Sequence, residues 1–435
     1  MTDTAEVRLW GRTIGAVTWV TARNIGVFQY TPEFARSGIQ VAPLMMPLRE
    51  TPYEFPTLDS DAFKGLPGML ADCLPDTFGN TLINAWLATQ GRSYDSFTPV
   101  ERLCYTGTRG IGALEFQPAH SEAPDSNRVV AIDALVALSN RVLDERVELT
   151  GKLSGSDDQA AIEDILRVST SAGGARAKAV LAWNERTGEF RSGQAPADSG
   201  FTHWLMKFDG IHGNRDKELA DPLGYGRIEY AYALMAAAAG ITMERCRLHE
   251  EGGRAHFMTR RFDRSDNGGK RHMQSLGALQ HFDFNRAGAH SYEAAIATMQ
   301  QLDLPASDLE QQVMRAYINI LARNQDDHVK NIAFLMSREG QWRLSPAFDF
   351  AYAYNPQGAW TGQHQMRLNM KQDYFVPEDL LLFASSANLK PRQARALLAR
   401  VSEAVRRWPH FANEAGVDAQ TAQRIEKTFR HDLLL

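Results

Sequence analysis

The sequence predicts a bilobal α/β (α+β) protein, with a mixed, sheet-bearing N-terminal part and a mostly α-helical C-terminal lobe. Three observations predict it. Short apolar runs broken by glycine turns, the pattern of strands, recur up to about residue 260. From about Tyr292 onward the apolar residues fall at helical spacing. One hairpin interrupts that helical stretch, and polar loops flank it on both sides.

In chain order, residues 7–10 and 14–19 form a hairpin turned at Gly11-Arg12, and residues 28–30 a further strand. A helix over 79–90 places Leu82, Ile83, Trp86 and Leu87 on one face. Loop and strand follow over 107–116, a polar connector over 120–127 and a helix over 132–147. A second unit begins near Gly151, with a short helix over 159–167 and a small-residue loop at 169–178. Strands are expected at 179–183 and 201–208, then a helix over 228–239 ended by Gly240. Arg247-Leu248 and residues 256–259 read as strands. The hairpin strands are 332–336 and 342–345, and the last helices cover 391–408 and 418–431. These breaks divide the chain into 1–145, 146–265 and 266–435.

Composition narrows the class. The 435 residues exceed one average domain, and 44% apolar with 23% charged is ordinary globular usage. A net charge of −5 supplies no drive of the whole chain toward nucleic acid. Cys73, Cys104 and Cys246 are too dispersed for metal-ligand spacing, and so sparse a set suits a reducing compartment. The first residues lack the cationic and apolar regions of a signal peptide, and the longest apolar run, 231–241, is too short to cross a bilayer. A cytoplasmic protein without a membrane role is expected.

The chemistry concentrates in Asn324-Gln325-Asp326-Asp327-His328-Val329-Lys330-Asn331 and Pro346-Ala347-Phe348-Asp349-Phe350. An Asp, an Asn five positions on, and a second Asp beyond a hairpin are the parts a kinase-like fold uses around a nucleotide phosphate. Phosphoryl transfer needs positioned Mg2+, a group that orients the attacking hydroxyl, and cations on the phosphates. Asp326 is the candidate proton acceptor; Asn331 and Asp349 are the candidate Mg2+ ligands, with ATP as phosphoryl donor. The ordinary alternative for an acidic loop is a solvated turn.

Lys207, late in its strand among apolar neighbours, needs an anionic partner if buried. ATP phosphates would supply one, and an edge lysine in water is the alternative. Glu229 on the next helix is the candidate carboxylate partner, unless it is a solvated helix glutamate. Ser171-Ala172-Gly173-Gly174-Ala175 would allow backbone N–H groups close to phosphate, or serve as a plain turn, and Arg176 and Lys178 follow it. His328 is open between proton shuttle, phosphate contact and structural donor. The basic stretch from Arg245 to Arg271 is either a salt-bridged surface or a dock for an acidic partner.

Taken in order, these motifs resemble the HipA family, serine/threonine kinase toxins of bacterial toxin–antitoxin modules. The resemblance rests on residues 70–79, Gly110-Ile111-Gly112-Ala113-Leu114, residues 171–179, Arg261-Phe262-Asp263-Arg264 and the two C-terminal motifs. It implies that Asp326 is the catalytic aspartate and that Asn331 and Asp349 hold magnesium. Lys207 would contact the ATP phosphates, and His328 and Gln274 the nucleotide. The backbone at Arg260-Arg261-Phe262 would meet adenine, with Asp263 near the ribose. Ser171 matches an autophosphorylated serine whose modification inactivates the enzyme. Ala172 stands where the family has a larger apolar residue, so Ser169 and Thr170 compete with Ser171 for that role. Ala351 stands where ordinary kinases place Gly, so no activation-loop flip is implied. The implied partners are a helix-turn-helix antitoxin of the HipB type, DNA only through that antitoxin, and a protein of translation such as an aminoacyl-tRNA synthetase as substrate. A small-molecule phosphotransferase and a non-enzymatic nucleotide sensor bound to a repressor are the alternatives. The Asp326, Asn331 and Asp349 set argues against the second.

Overall fold

The computed structural model of the protein describes residues 3–119, 129–144, 176–193, 200–211, 223–265 and 268–433. The boundary expected near residue 145, the helix over 159–167 and the loop holding Ser169, Thr170 and Ser171 lie outside the described residues.

Strands β1 (Thr4–Leu9), β2 (Arg12–Val20) and β3 (Ile25–Tyr30) run antiparallel. Trp10 and Gly11 both take positive φ, 50° and 79°, which is the two-residue hairpin turn that matches strand twist. Helix α1 (Thr77–Thr89) opens on Asp76, whose side chain accepts the Gly79 N–H at 2.6 Å. Helix α2 (Pro99–Thr106) carries a complete capping box between Thr98 and Glu101. Strand β4 (Leu114–Gln117) then returns to β1, closing a sheet of order β3-β2-β1-β4. Helix α3 (Ile132–Asp144) follows.

The central sheet is antiparallel throughout, in the order β6-β5-β7-β9-β8. Its strands are β5 (Lys178–Trp183), β6 (Phe190–Ser192), β7 (Thr202–Lys207), β8 (Cys246–Glu251) and β9 (Arg254–Arg260). Helix α4 (Tyr225–Ala238) lies between β7 and β8 in the chain and packs on β9. Leu82, Ile83 and Leu87 of α1 share a core with Leu181, Trp204, Met206 and Met258 of this sheet. The first 145 residues thus divide their apolar side chains between two cores.

A third sheet joins β10 (His272–Ser275), β11 (Ala333–Met336) and β12 (Trp342–Leu344). The N-terminal part is fastened to it: Asp72 accepts from Ser275 N at 2.8 Å and from Ser275 Oγ at 2.9 Å. At Gly68 the approach is closer still, since a Cβ there would lie 2.3 Å from the Ala278 carbonyl oxygen.

Helices α5 (Tyr292–Gln301), α6 (Ala306–Leu321), α7 (Pro377–Ser386) and α8 (Pro391–Arg406) build the helical C-terminal part. The helix expected to reach residue 408 ends at Arg406, and α9 (Trp408–Glu414) follows as a separate element because Pro409 cannot continue a hydrogen-bonded turn. Arg323, just past α6, takes φ 56° and turns the chain out into residues 324–331. Among the described residues no helix is long and apolar enough to cross a membrane.

Candidate active site

A cleft of about 810 Å³ lies where the central sheet, the N-terminal segment 72–80 and the loops 324–331 and 347–353 meet. Lys207 ends β7 and pairs in register with Lys178 of β5, so both side chains leave the same face of the sheet, and both line the cleft. Lys207 Nζ lies 2.5 Å from Glu229 Oε1 and 2.5 Å from Asp349 Oδ1. Helix α4 therefore presents Glu229 inward, 2% exposed, rather than to water. Burial opposes a charge on Lys207, but Asp349 and Glu229 outweigh it and hold the ammonium well above its ordinary pKa. Burial likewise opposes ionisation of Asp349; Lys207 and, next, Lys178 overcome it and keep that carboxyl below its usual range. Arg176 adds a third cation, its guanidinium 3.6 Å from the Tyr225 ring centroid and 4.0 Å from Glu229 Oε2.

The loop 324–331 supplies the opposite wall. Asp326 Oδ1 accepts the Trp360 indole N–H at 2.7 Å, and His328 Nε2 stands 3.9 Å from the same oxygen. Asn331 donates from Nδ2 to the Asp326 carbonyl at 2.8 Å, which leaves its amide oxygen as an acceptor. Asn324 donates to Asn319 Oδ1 at 2.9 Å and to the Asp349 carbonyl at 3.4 Å, tying this loop to the one after the hairpin. Asp349 itself takes φ 55°, a left-handed conformation that costs a residue with a Cβ about 1–2 kcal/mol. The ion pair with Lys207 and the buried Phe350 next to it hold it there.

Sequence reasoning reached Asp326, Asn331, Asp349, Lys207, His328, Arg260 and Phe262, all of which line this cleft. Lys330 lines it too, its ammonium 4.2 Å from the Phe284 ring centroid. Val180, Leu205, Met243, Phe262 and Phe348 give part of the lining an apolar character suited to a flat base.

One expectation needs correction, and one residue has a second use. Gln274 does not line the cleft. It is buried behind β10, donating to the Val41 carbonyl at 2.5 Å and standing 2.9 Å from His272 Nε2. Its strand neighbours Met273 and Ser275 face the cleft instead, as alternation requires. Asp263 lines the cleft, and its carboxylate is also engaged within the protein. It accepts from Gly112 N at 2.8 Å, from Arg261 Nε and Nη2 at 2.8 and 2.6 Å, and from Arg264 Nη1 at 2.8 Å. It clamps the N-terminal Gly110–Gly112 turn to the end of β9.

Burial opposes the charge of Asp263, but Arg261 and Arg264 override it and depress its pKa far below the ordinary carboxylate value. Such a group adds stability that is fully present above its unfolded pKa of about 4 and is lost as pH falls toward the folded value. Asp263→Asn is expected to destabilise the protein by about 3 kcal/mol at pH 7. The deficit relative to wild type should shrink below about pH 4. Thermal unfolding of both proteins at pH 7 and pH 3 checks this; an equal deficit at both would show that shape, not charge, carries the effect.

The basic stretch is largely internally paired. Arg245 and Arg247 meet Glu185, Arg261 and Arg264 meet Asp263, and Lys270 meets Glu115 at 2.6 Å.

Three features of the site escaped sequence reasoning. Asp76, at the start of α1, stands 3.1 Å from Lys178 with both side chains buried, and burial pushes its carboxyl up to about 6 against the pull of Lys178. Trp360 lies in an irregular segment with no periodic signal. Asp327, beside the candidate base, is fully buried under His364. The first had a signal, an Asp in N-cap position before a helix, although nothing local names its partner.

Asn331 and Asp349 offer one amide oxygen and one carboxylate, both hard donors. Among the described residues no three or more His, Cys, Asp and Glu side chains gather as a metal cage. That set fits a cation that keeps water and phosphate in its shell, as magnesium does.

Comparison with known proteins gives a consistent family. The model of the HipA-like C-terminal domain matches residues 170–408, and that of the HipA N-terminal domain matches residues 5–117. Among solved structures the chain is similar to the Shewanella oneidensis MR-1 toxin–antitoxin system HipA, HipB and operator DNA complex. Identity is 17%, coverage 99% of this chain and 96% of that one, and the TM-score 0.67. It also matches a Helicobacter pylori proinflammatory kinase, CtkA, with 11% identity over 60% of this chain and 87% of that one, at a TM-score of 0.40. No curated protein sequence matches it.

Proposed function

Because the chain belongs to the HipA family, we propose that it is an ATP-dependent protein kinase that phosphorylates a serine or threonine hydroxyl. The observation that carries this reading is the convergence on one cleft of the Glu229–Lys207–Asp349 ion-pair chain with Asp326 and Asn331. Each part has a task in phosphoryl transfer. Lys207, Lys178 and Arg176 place positive charge on the face of the sheet that would meet the phosphates. Glu229 fixes the Lys207 ammonium so that no reorganisation is needed when phosphate arrives. Asp326 takes the proton of the acceptor hydroxyl as its oxygen bonds to phosphorus and the bond to the ADP oxygen breaks. Asn331 and Asp349 would hold Mg2+, which when bound neutralises charge on the phosphate oxygens. Asp349 is already ionised for that purpose by its neighbours.

The family membership supports the finer assignments: a protein of translation as substrate, a HipB-type helix-turn-helix antitoxin as partner, and self-inactivation by phosphorylation near Ser171, at Ser171 itself or at Ser169 or Thr170. DNA would be met through the antitoxin. The test is to incubate the purified protein with γ-labelled ATP and a cell extract, then separate the products. Label is expected in the chain itself and in one or few extract proteins. Label confined to a small molecule, or absent from all fractions, overturns the protein-kinase reading.

A further inference from the structure

We propose that the stretch 360–365 is a clasp that positions the catalytic base, with Trp360, His364 and Gln365 as positioning residues; the proposal rests on the kinase reading of Asp326. The sequence places two aspartates side by side, Asp326 and Asp327, and the structure turns them to different uses. Asp326 faces the cleft, while Asp327 is 3% exposed and faces the protein interior. Both are held by the same short stretch of chain. Trp360 Nε1 donates to Asp326 Oδ1 at 2.7 Å. Gln365 N donates to Asp327 Oδ1 at 2.7 Å, and His364 Nδ1 lies 2.7 Å from Asp327 Oδ2. Within the stretch, Gln365 Nε2 donates to the Trp360 carbonyl, so its two ends are tied together.

The clasp has a rigid backing. Tyr292 of α5 donates to Asp327 Oδ2 at 2.6 Å and in turn accepts from Asn319 of α6 at 3.0 Å. Arg430 Nη1 lies 3.0 Å from His364 Nε2. Arginine only donates, so that ring nitrogen accepts and the hydrogen sits on Nδ1, directed at Asp327. Burial opposes the charge of Asp327, but His364, Tyr292 and the Gln365 N–H outweigh it and keep its pKa lowered. The network is therefore anchored by an anion.

The consequence for chemistry follows from the indole. Trp Nε1 is a donor with no acceptor capacity, so it engages Asp326 Oδ1 only as an unprotonated oxygen. That fixes the carboxylate rotamer and leaves Oδ2 to receive the hydroxyl proton. A base displaced by about 1 Å loses on the order of 100-fold in rate.

The experiment measures phosphate transfer from γ-labelled ATP onto the full-length chain itself. Trp360→Phe keeps an aromatic ring, though a smaller one, and removes the N–H. Its maximal labelling rate is expected to fall about 100-fold, with the ATP concentration for half-maximal rate unchanged because Lys207 and Glu229 are untouched. Asp327→Asn should lower the rate similarly. The double variant should be no slower than the slower single one, since both break one device. Trp360 is only partly buried, which makes Trp360→Phe the variant that stays folded, and its unfolding temperature should match wild type. An active wild type with Trp360→Phe at full rate overturns the clasp alone, as does multiplication of the two single losses. A wild type that transfers no phosphate overturns the kinase reading and the clasp with it.

Discussion

Asp326→Asn is expected to lower phosphoryl transfer about 1,000-fold while nucleotide binding survives, because a positioned general base contributes in that range. Asparagine is nearly isosteric with aspartate. Its amide oxygen can still accept the Trp360 indole N–H, which lies 2.7 Å from Oδ1 in the native protein. The Asn331 bond goes to the Asp326 main-chain carbonyl and is untouched by the substitution. What disappears is the capacity to accept a proton. Single-turnover labelling with γ-labelled ATP reads the chemical step, and calorimetric titration of ATP reads binding. A variant retaining more than about a tenth of the rate would remove Asp326 from the role of base.

The second large effect is expected at Lys207. Lys207→Met removes the one cation standing between Glu229 and Asp349, each 2.5 Å away. Glu229 is 2% exposed and cannot turn to water, so breaking the pair leaves a buried carboxylate with only the more distant Arg176, 4.0 Å from Oε2, to offset it. Removing one partner of a buried ion pair costs about 3 kcal/mol or more, whereas removing both partners together is often neutral. Lys207→Met should therefore unfold at a lower temperature and bind ATP weakly. Lys207→Met combined with Glu229→Met should recover most of the stability and none of the transfer. Thermal unfolding and γ-phosphate labelling on the three proteins check the two halves separately. If the double variant is no more stable than the single, the pair is not what Lys207 contributes to the fold.

The distribution of what was readable follows the range of the forces involved. The hairpin between Asn331 and Asp349 could be read because alternating strands, a turn and the two polar loops all lie within two dozen residues. Its strands close antiparallel, Phe334 opposite Leu344, and that local closure is what returns Asp349 to the loop. Glu229 was readable as a candidate only by its place on the helix after the lysine strand. Its burial depended on how α4 sits on the sheet. Gln274 was misplaced by a single step, and in a strand one residue is the difference between the two faces. For Asp263 the residue type fitted a ribose contact as well as it fitted a clamp. The clamp is made with Arg261, Arg264 and the Gly112 N–H, the last more than a hundred residues distant. Ser171 lies outside the described residues, so the autophosphorylation assignment stands on the resemblance.

The amino-acid order by itself determined the strand and helix pattern, the mixed-then-helical division and the Asp326–Asn331–Asp349 spacing, because hydrophobic periodicity, turn chemistry and short loop closure are local. Only the tertiary structure decided which carboxylate meets which cation: Asp76 with Lys178, Glu229 and Asp349 with Lys207, Asp263 with its two arginines. It also decided that Trp360 reaches Asp326. Coulombic and hydrogen-bond partners are selected by three-dimensional proximity and burial, and neither leaves a periodic trace along the chain.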